Sequence, residues 1–305
     1  NGDKFPKLPG HKTFTSHYHI EHTTQYIEEV EKDSSAGVPK AVRKPEFVDV
    51  FKNAGIQIVH LAEFHNRLGR ARRDHRKTLP LLKAMHDECA RLSDGELLLL
   101  PGEEPNVHLG GHWISFFPRP VMWVLNRAKD KPFIEEHPEY GRVYHVGSAG
   151  EVLKMMELEK GLMWAAHPRI KGSTGYPDRY REETFFKSDH YLGGAWKAMP
   201  ADLSRTRLGW RVLDLLNDTA NWGANKYILG EVDIFEVDHT TEFYAHANVN
   251  YLRLDSIPRY GDGWAPVLKA LRDGAFFIST GEVLLPRFTV GGKASGETLK
   301  INAFG

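Results

Sequence analysis

The chain has 305 residues, 41% of them hydrophobic and 26% charged, and its 40 basic residues balance its 40 acidic ones. That length buries a substantial single core, and the balanced charge leaves no footprint for nucleic acid or an anionic membrane. Cys89, the lone cysteine, excludes an internal disulfide and a thiolate cluster, and no apolar run approaches the roughly 20 residues of a membrane span.

Asn1 to Gly10 is a polar lead-in without a basic-then-apolar leader. Asn1-Gly2-Asp3-Lys4 does not read as a natural start, which leaves a removed leader and a secreted or periplasmic location open. Lys12-Thr13-Phe14-Thr15-Ser16 runs into His17-Tyr18-His19, and in an extended segment residues i and i+2 share a face. Phe47 to Asn53 has helical spacing. Ile56 to Leu61 reads as a buried strand that leads to Glu63-Phe64-His65. Leu79 to Leu92 is helical; Glu96 to Leu100 is a strand followed by Gly102-Glu103-Glu104. His112 precedes the strand Trp113 to Phe117. Glu151 to Leu158 is helical, and the strand Leu162 to Ala166 stops at His167-Pro168. Leu203 to Leu216 is a further helix, Tyr227 to Leu229 a short strand before Gly230-Glu231-Val232-Asp233, and Trp264 to Arg272 a last helix. Past Gly281 the texture changes: Val283 to Val290 reads as strand, Gly291-Gly292 as turn, and no helix follows. The expected units are 11–281, and 282–305 as the start of a β-rich element. The run from Leu299 breaks off in a strand-like pattern, which reads as a fragment of a longer chain.

Strand-helix alternation predicts parallel strands with crossover helices. Apolar runs that repeatedly stop at a His or a carboxylate predict a metal site at the strand ends of an α/β barrel. Without thiolates, imidazoles and carboxylates suit Zn, Mn or Fe. A single strand-end histidine is more often a hydrogen-bonded structural residue; the ordered set carries the prediction. Alternation turns only one of Glu103 and Glu104 inward. His60 reads as a core residue or a partner behind a ligand, and His22 as a helix-start surface residue. Arg67, Arg70, Arg72 and Arg73 are either an anion site or a solvated face. Arg169 follows His167-Pro168 and is the better candidate for substrate charge. Asp189-His190 lies in flanks that read as loop, Asp238-His239 is a weak alternative ligand pair, and Trp196, Trp210 and Trp222 default to core packing.

In order and spacing, His17-Tyr18-His19, Gly102-Glu103-Glu104, Gly111-His112, His167-Pro168 and Asp233 resemble the PHP (polymerase and histidinol phosphatase) superfamily of metal-dependent hydrolases, and its CehA/McbA-like branch most. Trp264 to Gly281 is similar to that branch's closing helix and strand. The resemblance spans about His11 to Gly296 and implies a distorted (β/α)7 barrel with a short β-rich C-terminal appendage. It implies that His17, His19, Glu104 and Asp233 hold one divalent ion, and that Glu104 bridges to a second completed by His112 and His167. The family's third site is degraded here: Phe64 and Phe235 stand where Asp and His are expected, and only His65 remains, with Glu63 near it.

The expected function is a metal-dependent hydrolase, a phosphoesterase, in which metal-bound hydroxide attacks phosphorus and Arg169 and His65 assist. A carbamate, ester or amide hydrolase of CehA type is one alternative. A degenerate barrel with a non-catalytic binding role is another. The expected partner is a small-molecule substrate; the sequence carries no prediction of oligomeric state.

Overall fold

A computed structural model describes residues 4–20, 45–65, 75–170, 173–197, 210–235, 237 and 247–301. In chain order its strands are β1 (His11–Tyr18), β2 (Ile58–Leu61), β3 (Leu98–Leu100), β4 (Gly102–Glu103), β5 (Trp113–Phe116), β6 (Met122–Val124), β7 (Ile134–His137), β8 (Gly141–His145), β9 (Leu162–Ala165), β10 (Tyr191–Lys197), β11 (Tyr227–Glu231), β12 (Val249–Arg253) and β13 (Phe276–Ser279). The helices are α1 (Glu46–Asn53), α2 (His75–Leu92), α3 (Ala149–Glu159), α4 (Thr184–Lys187), α5 (Trp210–Asn221) and α6 (Ala265–Arg272).

Local chemistry explains the helices. α1 buries Phe47, Val48, Val50 and Phe51 on one face, with Glu46 and Asp49 at its positive end and Lys52 at its negative end. Ser148 caps α3 by accepting the Glu151 N–H at 3.2 Å, an interaction worth about 1 kcal/mol. Lys160 then turns left-handed at φ 54°, which ends α3 just before β9.

The strands form an α/β structure of two five-stranded sheets, β13-β12-β1-β2-β3 and β11-β10-β9-β5-β4, and a three-stranded sheet, β6-β8-β7. β1-β2-β3 and β9-β10-β11 are parallel, whereas β5 and β12 run antiparallel to their neighbours. The expected parallel strands are present in both large sheets, and the antiparallel β5 and β12 make the arrangement mixed. Single bridges, Tyr18 to Ile234 and Glu63 to Glu103, tie the ends of β1 and β2 in one large sheet to the edge strands β11 and β4 of the other. No continuous ladder closes a barrel among the described residues. Between these sheets lies a core that includes Phe14, Ile58, Leu100, Phe116, Trp164 and Leu229, joined by Trp264, Val267 and Leu271 at α6.

Two further expectations change. Tyr191 to Gly194 is not loop but the start of β10, which lies inside its sheet. Glycine hid it, and packing explains the glycine: a Cβ on Gly193 would sit 2.2 Å from the Tyr227 carbonyl oxygen. Val283 to Val290 forms no strand; among the described residues after β13, a bridge joins Val290 to Lys293. Val283 and Phe288 stay exposed, so that apolar run has no partner to pair with. No helix among the described residues is long and apolar enough to cross a membrane.

Candidate metal centre

The histidine pair reaches the interior by a break in β1, not by simple alternation. Phe14 stacks on Phe116 inside the core, and Ser16 Oγ lies 3.2 Å from His60 Nδ1. Tyr18 points the other way, onto Phe47 and Phe51 beneath α1. The register slips between Ser16 and Tyr18, and His17 takes φ 72°. This bulge turns His17 to the interior. His19 lies one residue past the strand, its N–H donating to Ile234 O at 3.2 Å. His167 (φ 28°) after β9 and Asp233 (φ 46°) after β11 are also at positive φ. Left-handed backbone costs a non-glycine residue about 1–2 kcal/mol, and three such residues converge on one point.

Glu104, just past β4, is that point. Its Oε2 lies 3.1 Å from His17 Nε2 and 3.7 Å from His19 Nε2. Its Oε1 lies 2.7 Å from His112 Nδ1 and 3.0 Å from His167 Nε2. Asp233 Oδ1 completes the first side, 3.4 Å from His17 Nε2 and 3.8 Å from His19 Nε2. The donors form three overlapping sets that can hold a cation: His17, His167 and Asp233; His17, His19 and Glu104; Glu104, His112 and His167. His17, His19, Glu104, His167 and Asp233 are buried, whereas the His112 side chain is 20% exposed.

Two further side chains hold the set in place. Glu231 Oε2 accepts from His17 Nδ1 at 2.7 Å, and its Oε1 accepts the His167 N–H at 2.9 Å. A carboxylate on the far nitrogen fixes the imidazole tautomer and leaves Nε2 toward the centre. Buried Lys197 donates to Asp233 O at 2.6 Å and to Oδ2 at 3.1 Å, which leaves Oδ1 facing the histidines. Nothing local in the sequence marks Glu231 or Lys197 for this role; Lys197 ends β10, after its glycines.

The electrostatics suit a cation. Burial disfavours a charged His17, yet Glu104, Asp233 and Glu231 outweigh it and raise the pKa well above the usual histidine value. Burial would also raise Glu104, but charged His17 and bonds from His112 and His167 hold it well below the carboxylate range. Asp233 is depressed for like reasons, with His17, His19 and Lys197 outweighing burial. Burial dominates at His19 and lowers it to about 4, so it is a neutral nitrogen donor. The carboxylates thus draw a proton onto His17 as a substitute positive charge, and the N/O donor set fits a borderline or hard divalent ion.

The structure brings together His17, His19, Glu104, His112, His167 and Asp233; two expected site residues lie apart. His65 Nδ1 bonds Glu103 Oε1 at 2.7 Å, both fully buried. Strand alternation turns Glu103 away from Glu104, and His65 goes with it. Arg169 is engaged by Asp178, through Nε at 3.1 Å and Nη2 at 2.6 Å, and by Asp218. It forms a surface-facing ion network rather than a free charge for substrate. His190 Nδ1 bonds Gly161 O at 2.7 Å, and His60 packs on Phe116 and Trp164 in the core. Trp196 lines a separate apolar cavity of about 430 Å³, and Trp222 packs on Phe186. His22, the arginines 67, 70, 72 and 73, Asp238-His239 and the Trp210 side chain lie outside the described residues.

No protein-family model matches the sequence, and no curated protein does. The chain is similar to solved structures, two of which follow. One is a two-domain protein from Bacteroides vulgatus containing a predicted PHP-like metal-dependent phosphoesterase, at 14% identity and a TM-score of 0.48 over 92% of this chain and 68% of that one. The other is PsfC from Pseudomonas syringae, at 12% identity and a TM-score of 0.45 over 80% of this chain and 82% of that one. Fold and site together define an α/β protein with a strand-end histidine-carboxylate cluster compatible with divalent metal binding.

Proposed function

We propose that the chain is a divalent-metal-dependent hydrolase of the PHP type, a phosphoesterase, with its large sheets as the halves of a distorted (β/α)7 barrel. One observation carries this reading: each oxygen of the single carboxylate Glu104 faces its own histidine pair. One carboxylate between two donor sets is what a pair of ions about 3.5–4 Å apart requires. His17, His19, Asp233 and Glu104 would hold an inner ion, and Glu104, His112 and His167 an outer one. Such ions supply, when bound, a water ionised near neutral pH and positive charge for a developing oxyanion.

The chain's own residues do the positioning. Glu231 orients His17 and braces the His167 backbone; Lys197 orients Asp233. Burial keeps bulk water from the inner donors. His112 keeps one side toward solvent, and substrate enters there. That open side favours catalysis over a closed structural shell.

A carbamate, ester or amide substrate is the second reading. It is favoured by the engagement of Arg169 with Asp178 and Asp218, and by the phenyl rings of Phe64 and Phe235 on His19, which give the site an apolar flank. The test loads the purified chain with Mn or Zn, measures bound metal by elemental analysis, and assays aryl phosphates beside aryl esters. Two ions and phosphate release support the first reading; ester cleavage alone moves the assignment to the second. Absence of tightly held metal defeats both.

A further inference from the structure

β1 ends between two neighbours that present the same residue type. On one side the Ala62 N–H donates to Tyr18 O at 3.1 Å, and Phe64 follows two residues on. On the other side Tyr18 bridges Ile234, and Phe235 is the next residue. Both therefore bring a phenyl ring to the level of His19. Phe235 stacks on the imidazole at 4.3 Å and 7° between planes, and Phe64 at 4.5 Å and 20°. The two phenyl centroids are 6.5 Å apart, less than the two stacking distances together, so each phenyl overlaps the imidazole with an offset rather than centred on it.

We propose that Phe64 and Phe235 are positioning residues that hold the His19 imidazole between them and so fix its Nε2 on the inner ion position. An imidazole at the end of a strand turns about two side-chain bonds, and its terminal torsion is broad. Glu231 restrains His17 through the nitrogen opposite the centre; on His19 the stacked faces of Phe64 and Phe235 act as a restraint on ring rotation. Turning that ring would drive its edges into both phenyls. The rings also place apolar surface where water would otherwise compete for the inner ion. The residues that a ligand count scores as losses are then parts of the remaining site.

This inference rests on the two-ion reading, and the experiment separates them. The whole chain, stripped of metal, is titrated calorimetrically with Zn as wild type, Phe64→Leu, Phe235→Leu, Phe235→Tyr and His112→Ala, with circular dichroism to check folding. Wild type should take two ions. Each leucine variant should lose about 10–100-fold in affinity for one ion, the scale of removing a residue that supports a ligand, and leave the other unchanged. His112→Ala should weaken the opposite ion, and Phe235→Tyr, which keeps a flat ring, should match wild type. Phe235 is only partly buried, so its leucine variant remains informative even if Phe64→Leu fails to fold. Two ions in wild type with unchanged affinities in folded Phe235→Leu overturn this inference alone. A wild type that takes no ion overturns the metal reading with it.

Discussion

Glu103 and Glu104 are adjacent, both buried, and both bonded to histidine, yet they belong to different regions. Glu104 faces four imidazoles at the strand ends, with His17, His19, His112 and His167 within 3.7 Å of its oxygens. Glu103 faces away and bonds His65, at 2.7 Å. Around Glu104 the donors exceed what mutual hydrogen bonding can use: His17 Nε2 lies near two carboxylates yet forms no well-directed hydrogen bond. More ligand atoms than mutual pairing can use mark a cation site, and a matched donor and acceptor mark structure. The comparison separates the two regions by stoichiometry of donors, not by residue type.

The largest effect that tests this contrast is at Glu104. Glu104→Gln keeps the shape and removes the shared negative charge. It should abolish binding of both ions and all hydrolysis, a loss beyond the roughly 100-fold of an outer partner. Elemental analysis of the folded variant measures it, and a variant that retains two ions breaks the contrast. Glu231→Gln comes next. It weakens the hold on His17 Nδ1 and should lower affinity for the inner ion about 10–100-fold, leaving the outer one. Metal titration reads both steps.

Proton release sharpens the electrostatic side. A raised His17 pKa means that protonation stabilises the metal-free fold. That contribution is fully present below the ordinary value of 6.5 and is lost as pH rises through the raised folded value. An incoming ion must expel this proton, so apparent affinity should rise with pH across that window and then level. Near pH 7, calorimetry in buffers of different ionisation enthalpy should show about one proton released on filling the inner position. His19, held near 4 by burial, adds none. No proton release would mean that His17 is not the cation substitute the carboxylates demand.

Glu103→Gln should leave metal content and activity intact while destabilising the fold by about 2–3 kcal/mol, since it weakens a buried bond to a charged acceptor. A thermal melt measures the loss. Loss of metal in this variant would place His65 and Glu103 in the site after all.

What the sequence carried, and what it hid, follows from how far each signal is local. A run of apolar residues that stops at His, as at Ala166-His167, is visible within a few positions, and so are α1, α3 and α6. His19, His167 and Asp233 are legible because each follows such a run, whereas His112 stands before its strand. The bulge at His17 was not, because its cause lies in β2: only the register against Ile58 to Leu61 shows that Ser16 and Tyr18 leave opposite faces. β10 was missed because Gly193 and Gly194 look like turn residues until Tyr227 and Pro168 are beside them. Lys197, at its end, went unseen with it. Val283 to Val290 erred the other way: strand-like residues make no strand without an edge to join.

Arg169 makes the same point and yields the smallest effect. Adjacency to His167-Pro168 suggested a charge for substrate, but at φ 67° its backbone turns, and Asp178 and Asp218 take the guanidinium. The network is partly exposed, with side chains 17%, 33% and 43% accessible, so its contribution is modest, about 1–2 kcal/mol. Arg169→Leu should therefore lower the melting temperature slightly and leave KM and metal content where they were. A rise in KM for an aryl phosphate, with an aryl ester unaffected, would show instead that substrate phosphate draws the guanidinium away from its two aspartates. That outcome would extend the charged region of the site past the histidines, to residues that the resting geometry assigns to structure.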